Sequence, residues 1–120
     1  MITVDKKADN LNDGITNLIE GAKNDYIKMS TSGGKELTGY SKEQVENWNN
    51  NTKVSFGKKF IKIVHGHGVF AFVMKEDSGK FKKGDILKAA SWRAPALNSA
   101  RGNVLTGNYP IQWTGPLYLR

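Results

Sequence analysis

The stretch FIKIVHGHGVFAFVM, residues 60–74, decides the fold. It contains two runs rich in β-branched and aromatic residues, separated by His-Gly-His-Gly at residues 65–68. Such runs are typical of strands, and glycines in a short connection suit a tight hairpin. The stretch therefore predicts two adjacent antiparallel strands, over residues 60–64 and 69–74.

The second of these strands is apolar on both faces. Side chains alternate along a strand, and the residues at 69, 71 and 73 are as apolar as those at 70, 72 and 74. One face of an antiparallel sheet usually meets water. We therefore expect the outer face to be covered by helices or by a second subunit. A chain of 120 residues gains stability by assembly, which predicts a homo-oligomer.

The remainder of the C-terminal half alternates turn residues with short apolar runs. Turns are predicted at residues 77–80 and 81–84, where Gly, Ser and Asp cluster. Further strands are predicted over residues 86–92, 103–105, 111–113 and 117–119. The predicted fold class is mainly β, with a small antiparallel barrel over residues 54–120 and helices before it.

Residues 1–53 form a polar, helical N-terminal extension in this interpretation. Apolar residues recur at spacings of three and four over residues 13–29, which predicts a helix packed outside the barrel. Asn12 or Asp13 is the expected cap, and Gly14 and Gly21 interrupt the pattern.

A second, short helix is predicted from a capping box. Ser41 is followed three residues later by Gln44, and the helix would carry Val45 and Trp48. The run Asn49-Asn50-Asn51 is expected to end it.

Charge is distributed unevenly. Residues 1–53 hold seven lysines and eight acidic residues, whereas residues 54–120 hold eleven basic and three acidic residues. A basic domain attracts polyanions by counterion release, so nucleic acid is the first partner to consider and acidic protein surfaces the second. The alternative is a solvated, lysine-rich surface.

The composition also indicates the cellular compartment of the protein. There is no cysteine, which excludes disulfides and thiolate metal sites. No signal peptide and no apolar run of membrane-spanning length are visible, so no membrane partner is expected. The predicted location is the cytoplasm or the virion.

No constellation of catalytic residues is visible, so we expect no enzyme activity and no cofactor. His65 and His67 share a strand face and could hold a metal, but a third ligand is missing nearby, which favours a hairpin turn with exposed imidazoles. The pair Glu76-Asp77 precedes Ser-Gly, where acidic residues commonly form turns. No metal site is predicted.

Aromatic residues beside cations are the remaining signal. Trp92 precedes Arg93, and an aromatic ring beside a guanidinium can stack an exposed base and bind phosphate. Trp92 and Trp113 could equally be anchors of the core or of an interface.

Two segments resemble the Sm-like proteins, small RNA-binding barrels that assemble into rings. Residues 63–77, IVHGHGVFAFVMKED, resemble the first Sm motif, two strands around a glycine-bearing turn that end at an acidic residue. Residues 101–104, RGNV, resemble the Arg-Gly-Asp/Asn core of the second motif. The run from residue 81 to residue 116 is similar to divergent Sm-like proteins of cyanophages, which implies that the cytoplasm would be that of the host cell. Gly79 and Lys80 stand where the family has Met-Asn.

The resemblance implies a small, bent, five-stranded antiparallel Sm/SH3-like barrel after N-terminal helices, subunits joined through strand edges into a ring, and single-stranded RNA bound near the pore. By position, Arg101 and Asn103 would contact the base, and the loop after Asp77 would complete the pocket. The nucleic-acid-binding residues predicted in this way and from charge are Arg101, Asn103, Gly102, Asp77, Arg93, Lys80, Lys82 and Lys83.

Two functions remain open from the sequence. The first is a non-catalytic, homo-oligomeric Sm-like ring that binds single-stranded RNA. The second is a phage structural or accessory protein that uses the barrel only for protein–protein assembly. Clustering of basic and aromatic residues around Arg101 would favour the first.

Overall fold

The computed structural model describes residues 1–117, which form two helices and six strands. In chain order these are β1 Ile2–Val4, α1 Leu11–Ser30, α2 Gly39–Glu46, β2 Thr52–Phe56, β3 Phe60–His65, β4 Gly68–Met74, β5 Ile86–Leu87 and β6 Tyr109–Ile111. Four strands form one antiparallel sheet in the order β2-β3-β4-β5, and β1 pairs with β6 in a second sheet.

The β-rich fold with antiparallel sheets and N-terminal helices is confirmed, but the closed five-stranded barrel is wrong for the described residues. Six strands lie in two separate sheets. Closure fails because β5 is only two residues long and β6 pairs with β1 instead of joining the larger sheet. On its outer side β2 has no neighbouring strand among residues 1–117.

The hairpin predicted from residues 60–74 is confirmed. His65 pairs with Gly68, so the turn consists of Gly66 and His67, and Gly66 has φ 61°. A two-residue turn with positive φ at its first position matches the twist of the two strands, and glycine adopts it without strain. The register shifts between Ile63 and Val64, which marks a bulge.

The later strand predictions were partly wrong. The strand predicted over residues 86–92 ends at Leu87, because the chain turns away to form an irregular hairpin. The strand predicted over residues 103–105 is reduced to one bridge between Asp85 and Asn103. The strand predicted over residues 111–113 lies instead at Tyr109–Ile111. The strand predicted over residues 117–119 extends outside the described residues.

Helix α1 confirms the predicted helix, with a different cap. Asn10 is the N-cap, and its Oδ1 accepts a hydrogen bond from the Asp13 backbone N–H at 2.8 Å. The capping box at Ser41 is wrong. Ser41 lies inside α2 and its hydroxyl donates to the carbonyl oxygen of Thr38, the N-cap residue, while Trp48 lies beyond the helix end.

Both faces of β4 are buried within one chain. Phe70, Ala71 and Val73 pack in the larger core with residues of α1 and β6, whereas Phe72 and Met74 pack in a second cluster with Phe81 and Leu87. The apolar character of β4 therefore does not require a second subunit. Residues of the N-terminal segment and of the strands share the larger core.

The helix glycines allow this packing. A Cβ at Gly14 would lie 2.7 Å from the carbonyl oxygen of Val104, and one at Gly21 would lie 2.6 Å from Cγ2 of Val4. These two glycines are seven residues apart and therefore face the same side of α1. They weaken the helix locally, but they let α1 approach Val104 and the smaller sheet closely.

Candidate nucleic-acid interface

An irregular hairpin follows β5 and carries Trp92 at its tip. Ala90 N–H donates to the Ala94 carbonyl oxygen at 3.0 Å, and Ala96 N–H donates to the Lys88 carbonyl oxygen at 2.7 Å. At the tip, Ser91 Oγ accepts hydrogen bonds from the backbone N–H groups of residues 93 and 94. The tip is thus held by local hydrogen bonds, while 54% of Trp92 stays exposed.

Lys62 projects from the middle of β3 to the Trp92 ring. Its Nζ lies 4.3 Å from the ring centroid, within the range of a cation–π interaction. Neighbouring Ile61 and Ile63 are buried in the larger core, so Lys62 occupies the opposite face of the sheet. The sheet and the hairpin tip therefore present one cation beside one exposed aromatic ring.

A groove of about 210 Å³ lies at the end of β3 and β4. Phe60 and Phe81 contribute apolar walls, Leu97 is 59% exposed at its rim, and Lys59 and Lys80 flank it. The two ammonium groups lie 5.8 Å from the Phe60 centroid and 5.3 Å from the Phe81 centroid, respectively. The groove thus combines apolar surface with two cations, a combination suited to an anionic ligand with a planar body.

Arg101 and Lys80 meet at Asn98. Arg101 Nη1 donates to Asn98 Oδ1 at 3.0 Å and to the Ser99 carbonyl oxygen at 2.8 Å, and Lys80 Nζ donates to the Asn98 carbonyl oxygen. Burial, followed by the charge of Arg101, lowers the pKa of Lys88 below its usual value. Arg101 and Lys80 therefore both hold the loop at Asn98, beside the groove.

We call these residues together the basic–aromatic face, and it consists of Lys59, Lys62, Lys80, Trp92, Leu97 and Arg101. It lies on the side of the larger sheet opposite the larger core.

The remaining residues of the Arg-Gly-Asn segment serve the interior of the fold. Asn103 Nδ2 donates to the Lys83 carbonyl oxygen and to Asp85 Oδ1, each at 2.9 Å. Its Oδ1 accepts from the backbone N–H of Leu105 at 2.8 Å and from that of residue 106 at 3.3 Å. Both amide hydrogens are thus engaged within the chain. Gly102 packs directly against the side chain of buried Tyr109.

The other predicted site residues lie outside the groove. Asp77 Oδ1 accepts from the backbone N–H of Lys83 at 2.7 Å, which closes the turn between them. The side chains of Lys82 and Lys83 are exposed on this turn, and Arg93 is exposed beside Trp92. The structure therefore brings Lys80 and Arg101 together and places Arg93 at the hairpin tip, but it does not bring Lys82 or Lys83 into the groove lining.

The chain matches a family described as a family of unknown function (DUF7717) over residues 3–119. The chain belongs to DUF7717. Comparison with curated proteins and with solved structures gives no match.

Sequence reasoning missed three members of the face in this DUF7717 chain. Lys62 interrupts an otherwise apolar strand run, and its alternation with Ile61 and Ile63 is the signal that places it on the outer face. Lys59 lies in a turn and Leu97 in a loop, and they line the same groove only in the folded chain. No sequence pattern comparable to that of Lys62 therefore indicates them.

Within residues 1–117, no three His, Cys, Asp or Glu side chains converge on one point. No helix in that part of the chain has the length and apolar character needed to cross a bilayer.

His65 is half-buried, whereas His67 is exposed at the hairpin tip. The His65 ring stacks on Trp48, with centroids 4.2 Å apart, and its Nδ1 lies 2.9 Å from Thr52 Oγ1. The Thr52 hydroxyl donates to the Trp48 carbonyl oxygen at 2.8 Å, so it accepts from His65 Nδ1–H. Burial lowers the pKa of His65 below its ordinary value.

We expect this histidine to make stability depend on pH. Because the folded-state pKa is lowered, the unfolded chain binds the proton more readily, and stability rises with pH across this range. The free energy of unfolding should be fully retained above about pH 6.5 and should fall as the pH drops through the folded pKa. Urea unfolding between pH 7 and pH 5 measures the slope. His65→Gln should flatten it and His67→Gln should not; equal slopes in all three proteins would contradict the prediction.

Proposed function

We propose that this chain is a non-catalytic protein that binds single-stranded RNA through its basic–aromatic face and associates with itself. The observation that carries the proposal is the exposed Trp92 ring, with Lys62 Nζ 4.3 Å from its centroid, on the same side of the sheet as a lysine-flanked groove. Single-stranded nucleic acids are commonly bound by aromatic platforms beside cations that follow the backbone.

In this proposal the residues have separate roles. Trp92 stacks on a base, and Lys62 orients the ring and meets a neighbouring phosphate. The groove accepts an adjacent nucleotide between Lys59 and Lys80. Arg101 positions the loop through Asn98 and carries a positive charge of its own.

In the proposal, the other predicted residues either fix the backbone next to the basic–aromatic face or attract phosphates from a distance. Gly102 and Asn103 fix the backbone after Arg101, and Asp77 fixes the turn that carries Lys80. Arg93, Lys82 and Lys83 are exposed and supply longer-range attraction to phosphates.

A salt series tests the proposal. A short uridine-rich RNA carrying a fluorescent label should bind the parent protein, with an affinity that falls linearly on a log–log plot against salt. Lys80→Ala should reduce the magnitude of that slope by roughly 0.7, the amount expected for one phosphate contact on a single strand. Lys35→Ala, an exposed lysine between the two helices, is the matched control.

Two results would overturn the proposal. One is failure of the parent to bind the RNA at low salt. The other is an identical loss of slope in Lys80→Ala and Lys35→Ala, which would mean that only net charge matters.

A second candidate is a phage structural or accessory protein that uses its strands only for protein–protein assembly. The open edge of β2 favours it, because a strand edge that faces solvent can accept a strand from another chain. Light scattering with and without the RNA separates the two: assembly without any RNA-dependent change supports this candidate. A mass of 13.3 kDa at micromolar concentration would contradict self-association, including the ring expected from the resemblance.

A further inference from the structure

The outer edge of β2 is exposed and partly apolar. Val54 is 37% exposed and Phe56 is 55% exposed. They pair across the sheet with Ile63 and Ile61, which are fully buried, so both lie on the face that carries the larger core. The apolar face of the sheet thus continues to an edge where no other part of residues 1–117 covers it.

The ladder between β2 and β3 shows which backbone groups point outward. Gly57 N–H donates to the Phe60 carbonyl oxygen, and Gly66 N–H donates to the Asn51 carbonyl oxygen, each at 2.9 Å. Hydrogen-bonded pairs alternate along an antiparallel ladder, so the odd-numbered residues of β2 direct their N–H and C=O groups to β3. The three even-numbered residues, Thr52, Val54 and Phe56, direct theirs to the open edge.

We propose that β2 pairs antiparallel with β2 of a second copy of this chain, about a twofold axis at Val54. In this register Val54 faces Val54 of the second copy and Thr52 faces Phe56, so all three outward-pointing residues find a strand partner. The register makes a continuous eight-stranded sheet from the two four-stranded sheets.

Charge favours this register of β2 pairing. It also favours a second copy of this chain as the strand that occupies the open edge. With the axis at Val54, Lys53 lies opposite Ser55, and the two lysines do not face each other. An axis at Lys53 would place like charges directly opposite, which is destabilising. An axis at Ser55 would leave Thr52 opposite Lys58, which lies outside the strand. The five-residue pattern of β2 is therefore complementary to itself.

The opposite edge of the larger sheet, at β5, already has backbone hydrogen-bond partners within the chain. Arg101 N–H donates to the Ile86 carbonyl oxygen and Ile86 N–H donates to the Gly102 carbonyl oxygen, each at 2.8 Å. Contact through β2 alone is isologous and closes as a dimer. A ring would need a second, different contact in addition.

Single-cysteine variants test the pairing, because the natural chain has no cysteine. Opposed residues in a hydrogen-bonded pair have Cα atoms about 5.5 Å apart, within the range of a disulfide. Under mild oxidation Val54→Cys should form a covalent dimer. Phe56→Cys should stay monomeric, because its two copies would lie four strand positions, or about 13 Å, apart. Equal cross-linking of both variants would overturn the register.

Sedimentation equilibrium of the parent protein tests the association itself. Val54→Lys places two lysines opposite each other and should weaken dimerisation at least tenfold. Tyr40→Lys, at an exposed aromatic residue of α2, should leave it unchanged. A monomeric parent, including one that instead binds an added extended peptide, would overturn the proposal. This inference deepens the self-association in the proposed function, and RNA affinity is a separate readout, so either can fail alone.

Discussion

Replacing Gly102 by alanine is expected to lower the free energy of unfolding by about 3 kcal/mol or more, from backbone strain plus overpacking. Gly102 has φ 151°, a conformation that residues with a Cβ rarely adopt. A Cβ at this position would also lie less than 3 Å from the Cβ of Tyr109, which is 1% exposed. Tyr109 belongs to the larger core, so it cannot move aside without disturbing β6 and its neighbours.

Gly79 provides the matched control. It has φ 59°, and nothing lies within 4 Å of a Cβ placed there. Gly79→Ala should therefore cost only about 1–2 kcal/mol, the usual penalty of a left-handed conformation for an L-residue. Urea unfolding of both variants measures the difference. Equal losses at the two positions would show that contact with Tyr109 contributes nothing.

The Arg-Gly-Asn segment shows that residues of one motif can serve different parts of the fold. Arg101 contacts Asn98 on the basic–aromatic face, and Lys80 contacts the same residue. Gly102 and Asn103 are determined by packing and by four internal hydrogen bonds of the Asn103 amide. The partners in these contacts are among residues 83–86, 105–106 and 109. They lie close to Gly102 and Asn103 only in the folded chain.

The strands were predictable to the extent that their pairing is local. β3 and β4 are joined by a two-residue turn, and their composition and turn glycine were sufficient to predict them. The pairing of β1 with β6 joins segments at opposite ends of the described chain, with Thr3 opposite Pro110. Each has three residues and no strong alternation, so no local pattern could indicate the pair. The barrel prediction failed for this reason, because it assigned the last strands to the larger sheet.

The basic–aromatic face was predictable where single residues carried unusual chemistry. Trp92 beside Arg93 was such a signal, although the sequence left its exposure open. The other two tryptophans show why: Trp48 is buried, and Trp113 packs at 5.2 Å against Tyr26, so composition alone does not separate a platform from an anchor. Trp92 is exposed because it lies at the tip of the hairpin. That tip forms when the backbone groups of Ala90 and Ala94 are joined by a hydrogen bond.

Replacing Trp92 by alanine is expected to weaken binding of uridine-rich single-stranded RNA by about 5- to 150-fold, the range for loss of one base-stacking platform. The slope of log affinity against log salt should stay the same, because no charge is removed. Stability should change little, since 54% of the side chain is exposed in the free protein. The loss should therefore appear in affinity alone, which titration of a labelled RNA measures at several salt concentrations.

Tyr40→Ala is the matched control, because Tyr40 is the more exposed aromatic residue, at 73%, and lies in α2 away from the basic–aromatic face. It should bind RNA like the parent. Trp92→Phe should recover part of the affinity, since a smaller ring still stacks, and a polar residue of similar size should not. Fluorescence gives a second readout: RNA should protect the parent from a soluble quencher through Trp92, and Trp92→Phe should lose this protection because Trp48 and Trp113 are less exposed. If Trp92→Ala and Tyr40→Ala bind equally well, Trp92 is not a stacking platform, and attraction to the lysines alone would account for any binding.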